Sequence, residues 1–346
     1  MRLAVVACAL LALSWAPRPA LADDTLTVVT GAAPNGIYEA LDHVALGAGF
    51  FKAEHLNVDY EYSGSAFTAA QLVASGKADI TTSSVEPVLT GYEKGLRLQL
   101  FLARASRYSY VLGVLDDSPI RALADFKGQD IGEINIGSAA EIAAESMLAG
   151  AGLRKGDYAF VPIGTGAQAF NAIVSKRVAG AAFPYIELST YEVIGNLKLR
   201  YFRHPILTDI ANIGYEASPA TIQTKGDILK RFCRAIVEAA VFVRENPPAS
   251  ARLFLQVSGG KFTDADVQMK TRELVLLQND LPGADPSSKK IGYLSPQGIE
   301  FYSKFLTDAG LTHEVVPGSA IVTNQFIDYA NDFDHQALIA YAKKAR

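Results

Sequence analysis

Two stretches of this 346-residue chain fall into register when one is shifted by one hundred positions. Ser63-Gly64-Ser65 lands on Ile163-Gly164-Thr165, Leu72-Val73-Ala74-Ser75 on Ala172-Ile173-Val174-Ser175, and Ser83-Ser84 on Phe183-Pro184. Few residues are identical, so the echo is one of topology and not a tandem array. In each copy a Gly-Ser/Thr turn opens a helix, and the helix leads into a strand (Asp79–Thr82, Ala179–Phe183). Strands alternating with helices build α/β sheets. A chain that does this twice predicts two similar lobes, each a mixed sheet flanked by helices.

A third such turn lies between them, in Asp125–Gly152. Ile131, Ile134 and Ile136 mark a short strand that runs into Gly137-Ser138. Ser138 and Glu141 have the spacing of a capping box, and Thr165 and Gln168 repeat it. Apolar residues then recur at Ile142, Ala143, Met147 and Leu148 until Gly150-Ala151-Gly152 ends the helix. Free N–H groups at such a helix start, at the carboxyl end of a strand, are where α/β proteins bind small ligands. The plainer alternative for Ser63, Ser65, Ser138 and Thr165 is a cap that stabilises its helix by about 1 kcal/mol and touches no ligand.

The first residues read as a leader. Arg2 supplies the charge, Leu3–Trp15 the apolar run, and Ala20-Leu21-Ala22 a cleavage site before Asp23. Cys8 falls inside that segment, which leaves Cys233 alone, so no disulfide framework is expected. Helical spacing with Leu229, Ile236 and Ala240 makes Cys233 a buried thiol. Losing Arg2 and Arg18 takes the formal charge from −4 to −6. An acidic chain without basic blocks is a poor partner for nucleic acid, and no later apolar run is long enough to cross a bilayer. The expected location is the periplasm.

The remaining elements follow from local pattern. Strands are expected at Thr25–Thr30, Asn57–Tyr62, Leu98–Ala103, Tyr110–Leu115, Lys198–Phe202 and Ile210–Tyr215. Helices dominate from Thr224, with Asn246-Pro247-Pro248 stopping the first of them. Ile321–Tyr329 is expected to dock last. Polar Arg104–Ser109 suits a crossover. Arg104 and Arg107 are either a carboxylate or sulfonate clamp or a solvated surface pair. Asn35 is either a ligand contact or a turn residue between Pro34 and Gly36. Phe183, Tyr185 and Tyr215 are candidates for stacking on an organic ligand, though buried aromatics are commonly core. His43, His55, His204, His313 and His335 are scattered, with no metal-ligand spacing, and no G-x-S-x-G elbow occurs. Catalysis, a metal and a cofactor are therefore not expected.

Taken in order, GAGFFKAEHLNVDY, LVASGKADI, LADFKGQDIG, GSAAEIAAESMLAGAGL and FVRENPPASA resemble the substrate-binding proteins of ABC importers for nitrate, sulfonates, taurine and thiamine-pyrimidine precursors. The resemblance covers essentially everything after the leader. It implies the type II periplasmic-binding fold, with a leader at 1–22, one lobe from 23–112 and 213–346, and the other from 113–212. The crossovers would fall near Leu112–Leu115 and Ile210–Tyr215. It implies a cleft lined by Gly31, Asn35, Ser63, Gly64, Ser65, Ser84, Val85, Arg107, Tyr108, Gly137, Ser138, Ala139, Thr165, Phe183 and Tyr185. The function implied is capture of a small organic, anionic solute by a monomer that delivers it to a permease and its ATPase. A sensory protein docking on a receptor and an exported enzyme are the alternatives. Two departures stand out. Arg177-Val178-Ala179-Gly180 lacks the family's acidic residue, and Gly31-Ala32 replaces the aromatic that pyrimidine-precursor binders carry. Glu141 behind Ser138 also offsets the helix-end potential that a small dianion would need.

Overall fold

The computed structural model describes residues 23–31, 36–204, 210–278, 281–282, 290–308 and 310–345. The leader, Cys8 and Asn35 lie outside the described residues. Among the described residues ten strands form two five-stranded sheets. The first holds β1 (Asp24–Thr30), β2 (Leu56–Tyr62), β3 (Ile80–Ser84), β4 (Gln99–Ala103) and β10 (Ile213–Ala217), in the order β2-β1-β3-β10-β4. The second holds β5 (Tyr110–Leu115), β6 (Asp130–Glu133), β7 (Ala159–Pro162), β8 (Gly180–Pro184) and β9 (Leu199–Arg203), in the order β7-β6-β8-β5-β9. In each sheet three strands are parallel and the strand beside them, β10 or β5, runs antiparallel. The orders match strand for strand.

The helices of the first part are α1 (Ala40–Gly47), α2 (Phe50–Ala53), α3 (Ala66–Ala74) and α4 (Val85–Tyr92). Those of the second sheet are α5 (Ala139–Gly150), α6 (Gly166–Val174) and α7 (Tyr185–Gly195). The offset of one hundred is literal: α3 maps onto α6 and β3 onto β8. Strand alternation explains the layers, because successive side chains point to opposite faces. Leu26 and Val28 of β1 join the core under α1, whereas Val29 joins the core under α3 and α4. Val111 of β5 faces α6 and α7, and Leu112 faces α5.

After β10 come α8 (Pro219–Thr224), α9 (Gly226–Glu245), α10 (Pro247–Val257), α11 (Asp264–Leu277), α12 (Pro296–Asp308), α13 (Gly318–Ile321), α14 (Ile327–Ala330) and α15 (His335–Lys344). Leu229, Phe232, Cys233, Ile236, Ala240 and Val243 form the buried stripe of α9, at helical spacing, against α1, α2 and the first sheet. Phe232 stacks on Phe51 and meets Tyr215 edge to face. Cys233 is buried, and burial pushes its thiol pKa up. Pro247 and Pro248 do more than end α9. They occupy the first turn of α10, where proline lacks no needed donor, behind Asn246, whose side chain accepts from the Ala249 N–H. The Asn246 amide also donates to the Ala342 and Ala345 carbonyls, fastening α15.

Three local expectations differ from the structure. Ile136 lies past β6 in an exposed turn, 79% accessible, and Ile134 is outside the strand as well. Leu112–Leu115 lies wholly inside β5 of the second sheet, so the chain passes between sheets earlier, over 104–109, and re-enters the first sheet at β10. Ile321–Tyr329 is not the last element; α15 follows it.

Candidate functional site

The parallel strands of each sheet end side by side. Thr30 is level with Tyr62 and with Thr82 in the first sheet, and Glu133 is level with Pro162 and Ala182 in the second. Gly31, Ser63-Gly64-Ser65 and Ser84-Val85 are thereby brought together at one sheet's carboxyl edge. Gly137-Ser138-Ala139, Thr165, and Phe183 with Tyr185 are brought together at the other's.

Gly31 packs on the start of α3 so closely that a Cβ there would lie 2.2 Å from the Ala66 nitrogen. Ser63 donates to the Thr30 and Ser65 carbonyls, at 3.2 and 2.9 Å, and Gly64 takes a φ of +80°. Ser65 caps α3, accepting from the Thr68 N–H at 3.1 Å. Ser138 caps α5 and donates to the Glu133 carboxylate, both at 3.1 Å. Glu141 accepts from the Gly137 N–H and not from that of Ser138, which goes to the Asn135 carbonyl, so the reciprocal half of the box that the spacing predicts is not made. Thr165 precedes α6 without a side-chain cap bond and is exposed, contrary to the spacing argument.

Other expected site residues sit deeper. Val85 and Phe183 are fully buried in the cores beneath the two edges, and Ser84 is 4% exposed. Tyr108 is buried, its hydroxyl bonded to that of Tyr302 at 2.8 Å. Tyr215 is core as well, in edge contact with Phe232. Tyr185 is half-buried, with Arg203 over its ring at 4.3 Å. Arg107 is exposed.

Arg104 goes the other way. Its side chain is only 10% exposed, and it reaches into the first sheet. One nitrogen donates to Thr82 Oγ1 at 3.1 Å, and Nη2 lies 3.7 Å from Asp42 Oδ2. Asp42, buried in α1, accepts from the Tyr60 hydroxyl at 2.7 Å and from Tyr215 at 3.1 Å. One turn earlier Glu39 is 1% exposed, and neither of its carboxylate oxygens has a hydrogen-bond partner among the described residues; Arg104 Nη2 is in the same state. Burial pushes the Glu39 carboxyl up to about 7, against the pull of Arg104. The residue analysis missed Glu39 and Asp42. The signal was there: both fall among Ala40, Leu41, Val44 and Ala45, which form the buried side of one short helix.

Where the chain crosses between sheets a second polar network is buried. Asn212 Oδ1 accepts from the N–H and hydroxyl of Ser109, at 3.1 and 3.2 Å. Its amide donates to Glu86 Oε1 at 2.9 Å, and its carbonyl accepts from the Val85 N–H at 2.8 Å. Tyr302 also donates to Glu86. Glu216, fully buried nearby, accepts from Ser83 at 2.9 Å. Burial raises both carboxyls, Glu216 to about 8, and each makes ionisation of the pair harder.

Between the sheets lies a cavity of about 40 Å³ with walls from both. Leu41 of α1, Arg104 and Ser109 of the crossing, Pro184 and Ile186 at the start of α7, and Leu277 of α11 line it. It adjoins the buried arginine and the crossing together. A larger one, about 570 Å³, opens at the opposite end of the second sheet, where Asp117 pairs with Lys176 at 2.7 Å. That end carries the amino ends of β6 and β8, away from the loops described above.

Two sheets of equal strand order, joined by two crossings, define the two-lobed α/β fold of periplasmic binding proteins. The chain belongs to the NMT1/THI5-like family, whose model matches residues 38–250. It is 26% identical over 292 residues to the riboflavin-binding protein RibY of Chloroflexus aurantiacus, covering 82% of this chain and 81% of that one. Among solved structures it resembles a protein of Bordetella bronchiseptica RB50, at TM-score 0.69 and 20% identity, covering 89% of this chain and 97% of that chain. It also resembles the alkanesulfonate-binding protein SsuA of Xanthomonas axonopodis pv. citri bound to MOPS, at TM-score 0.62 and 17% identity, covering 87% and 98%.

Proposed function

We propose that this protein is an exported solute-binding protein that takes a small organic molecule between its lobes and hands it to a membrane permease driven by an ATPase. The observation that carries this is the interlobe cavity, whose walls come from both sheets and from the outgoing crossing, beside buried polar groups without hydrogen-bond partners among the described residues. At about 40 Å³ it holds only about three waters, so an organic ligand enters only when the lobes part. The lobes would be 23–103 with 213–345, and 110–203, hinged where the chain passes between the two sheets. Ligand binding draws them together because only the closed cleft satisfies both sets of loops. Arg2, the apolar run and Ala20-Leu21-Ala22 support a leader over 1–22 and a periplasmic location. Among the described residues no helix is long and apolar enough to cross a membrane.

Native mass spectrometry of the purified protein, followed by denaturation and identification of what is released, tests this reading. One small organic molecule per chain is expected. Chemical turnover of that molecule by the protein would instead make it an enzyme on this fold, and a receptor domain captured in place of a permease would make it a sensor.

A further inference from the structure

Within the solute-binding reading, on which this rests, we propose that Glu39 and Arg104 form the recognition end of the cleft, and that it takes a neutral nitrogen heterocycle or amide presenting an N–H beside a carbonyl. Both side chains are at least nine-tenths buried, yet the Glu39 carboxylate and Arg104 Nη2 bond to nothing among the described residues. Buried polar groups are ordinarily paired, and a buried acceptor next to a buried donor calls for a ligand edge of the opposite pattern. Arg104 lines the interlobe cavity, and so does Leu41 of α1, the helix whose first turn Glu39 precedes as its cap residue.

The charge balance speaks against the anionic solute expected from the resemblance. The guanidinium already faces Asp42 at 3.7 Å, and Tyr60 and Tyr215 both donate to that carboxylate. With Glu39 alongside, the pocket carries no surplus positive charge. The second lobe adds carboxylates rather than a free cation at its loops: at the start of α5 the Gly137 N–H is taken by Glu141, Glu133 is buried behind Ser138, and the Arg203 guanidinium lies over the Tyr185 ring. A sulfonate would meet carboxylates from both sides. A cationic amine would suit Glu39 but would face Arg104. A neutral donor–acceptor edge satisfies both groups, and Leu41, Ile186 and Leu277 supply apolar walls for the rest of a flat ring.

Calorimetric titration and thermal melting with two probe sets test this. Riboflavin, uracil and nicotinamide form one set; taurine, methanesulfonate and benzoate form the other. At least one neutral probe should bind saturably and raise the melting temperature, and no anion should. Glu39→Leu should weaken the neutral probe about tenfold or more, since a hydrogen bond to a charged group is lost. The same variant, unliganded, should melt at or above the wild type, because a buried carboxyl without partners is removed. A purely structural Glu39 would show the reverse, a lower melting temperature with probe affinity intact, and that result overturns the proposal. Binding of an anion in preference to every neutral probe overturns it too, while leaving the solute-binding reading in place. Binding of neither set overturns both.

Discussion

Asn212 is the residue on which the two crossings depend. It is fully buried, and its side chain and carbonyl hold Ser109 of the outgoing segment, Glu86 of α4 and the first N–H of α4. Asn212→Ala leaves the Ser109 N–H and a Glu86 oxygen with one partner fewer. A loss of about 2–3 kcal/mol is expected from unpairing buried groups of this kind, measured as the shift in the urea midpoint. Nearby, Glu216 carries a pH dependence. Its folded-state pKa of about 8 lies above the ordinary 4.5, so between those values the folded chain holds a proton that the unfolded chain has released. Stability therefore falls as pH rises through that window. Glu39, Glu133 and Glu238, raised by burial to about 7, act in the same direction. His204, lowered by burial to about 4, acts oppositely below its ordinary 6.5, as does His43, which burial also lowers. Above 6.5 the carboxyls act alone, so the urea midpoint should drop from pH 6.5 to 8, and Glu216→Gln should flatten that drop. A midpoint that climbs over this range would contradict the assignment.

Among the elements, α5 shows how much of the architecture local chemistry decides. Ser138 caps the helix as its spacing predicts, while Glu141 reaches one residue past the cap to the Gly137 N–H, and the apolar recurrence places Ala143, Met147 and Leu148 in the core. Ser138→Ala should cost about 1 kcal/mol, read from the denaturation midpoint, and should also strip Glu133 of its Ser138 hydrogen bond. The one-hundred-residue echo proved equally legible, because α3 with β3 and α6 with β8 are the same unit built twice. What sequence could not supply were elements and contacts without a local signature. β7 is a four-residue strand, nowhere fully buried: its apolar run is short, does not alternate, and ends in Pro162, which argues against a strand. Glu39 and Asp42 stand among the apolar positions of α1, which marks them as buried, but nothing local says that Arg104, from a distant crossing, is what they meet. For Phe183 and Tyr215 the core alternative to stacking on a ligand holds: the first is in edge contact with Tyr191 and the second meets Asp42 and Phe232. Buried polar pairing depends on tertiary placement, which spacing does not encode.

For the whole molecule the account comes down to two lobes that open and close around a solute. Packing already links them: α4 meets α5 near the crossings, α7 meets α11 on the far side of the cavity, and one buried cluster includes residues of both sheets. A closed form of this kind leaves little free volume in the cleft, so the unliganded protein must populate a more open one for an organic ligand to enter. The most direct test is small-angle X-ray scattering of the protein stripped by unfolding and dialysis, then refolded with and without the small molecule it released. The account predicts a smaller radius of gyration when the molecule is restored, at the same mass, with the change absent in a variant that no longer binds it. Identical scattering curves, with binding shown independently on the same samples, would contradict lobe closure as the mechanism.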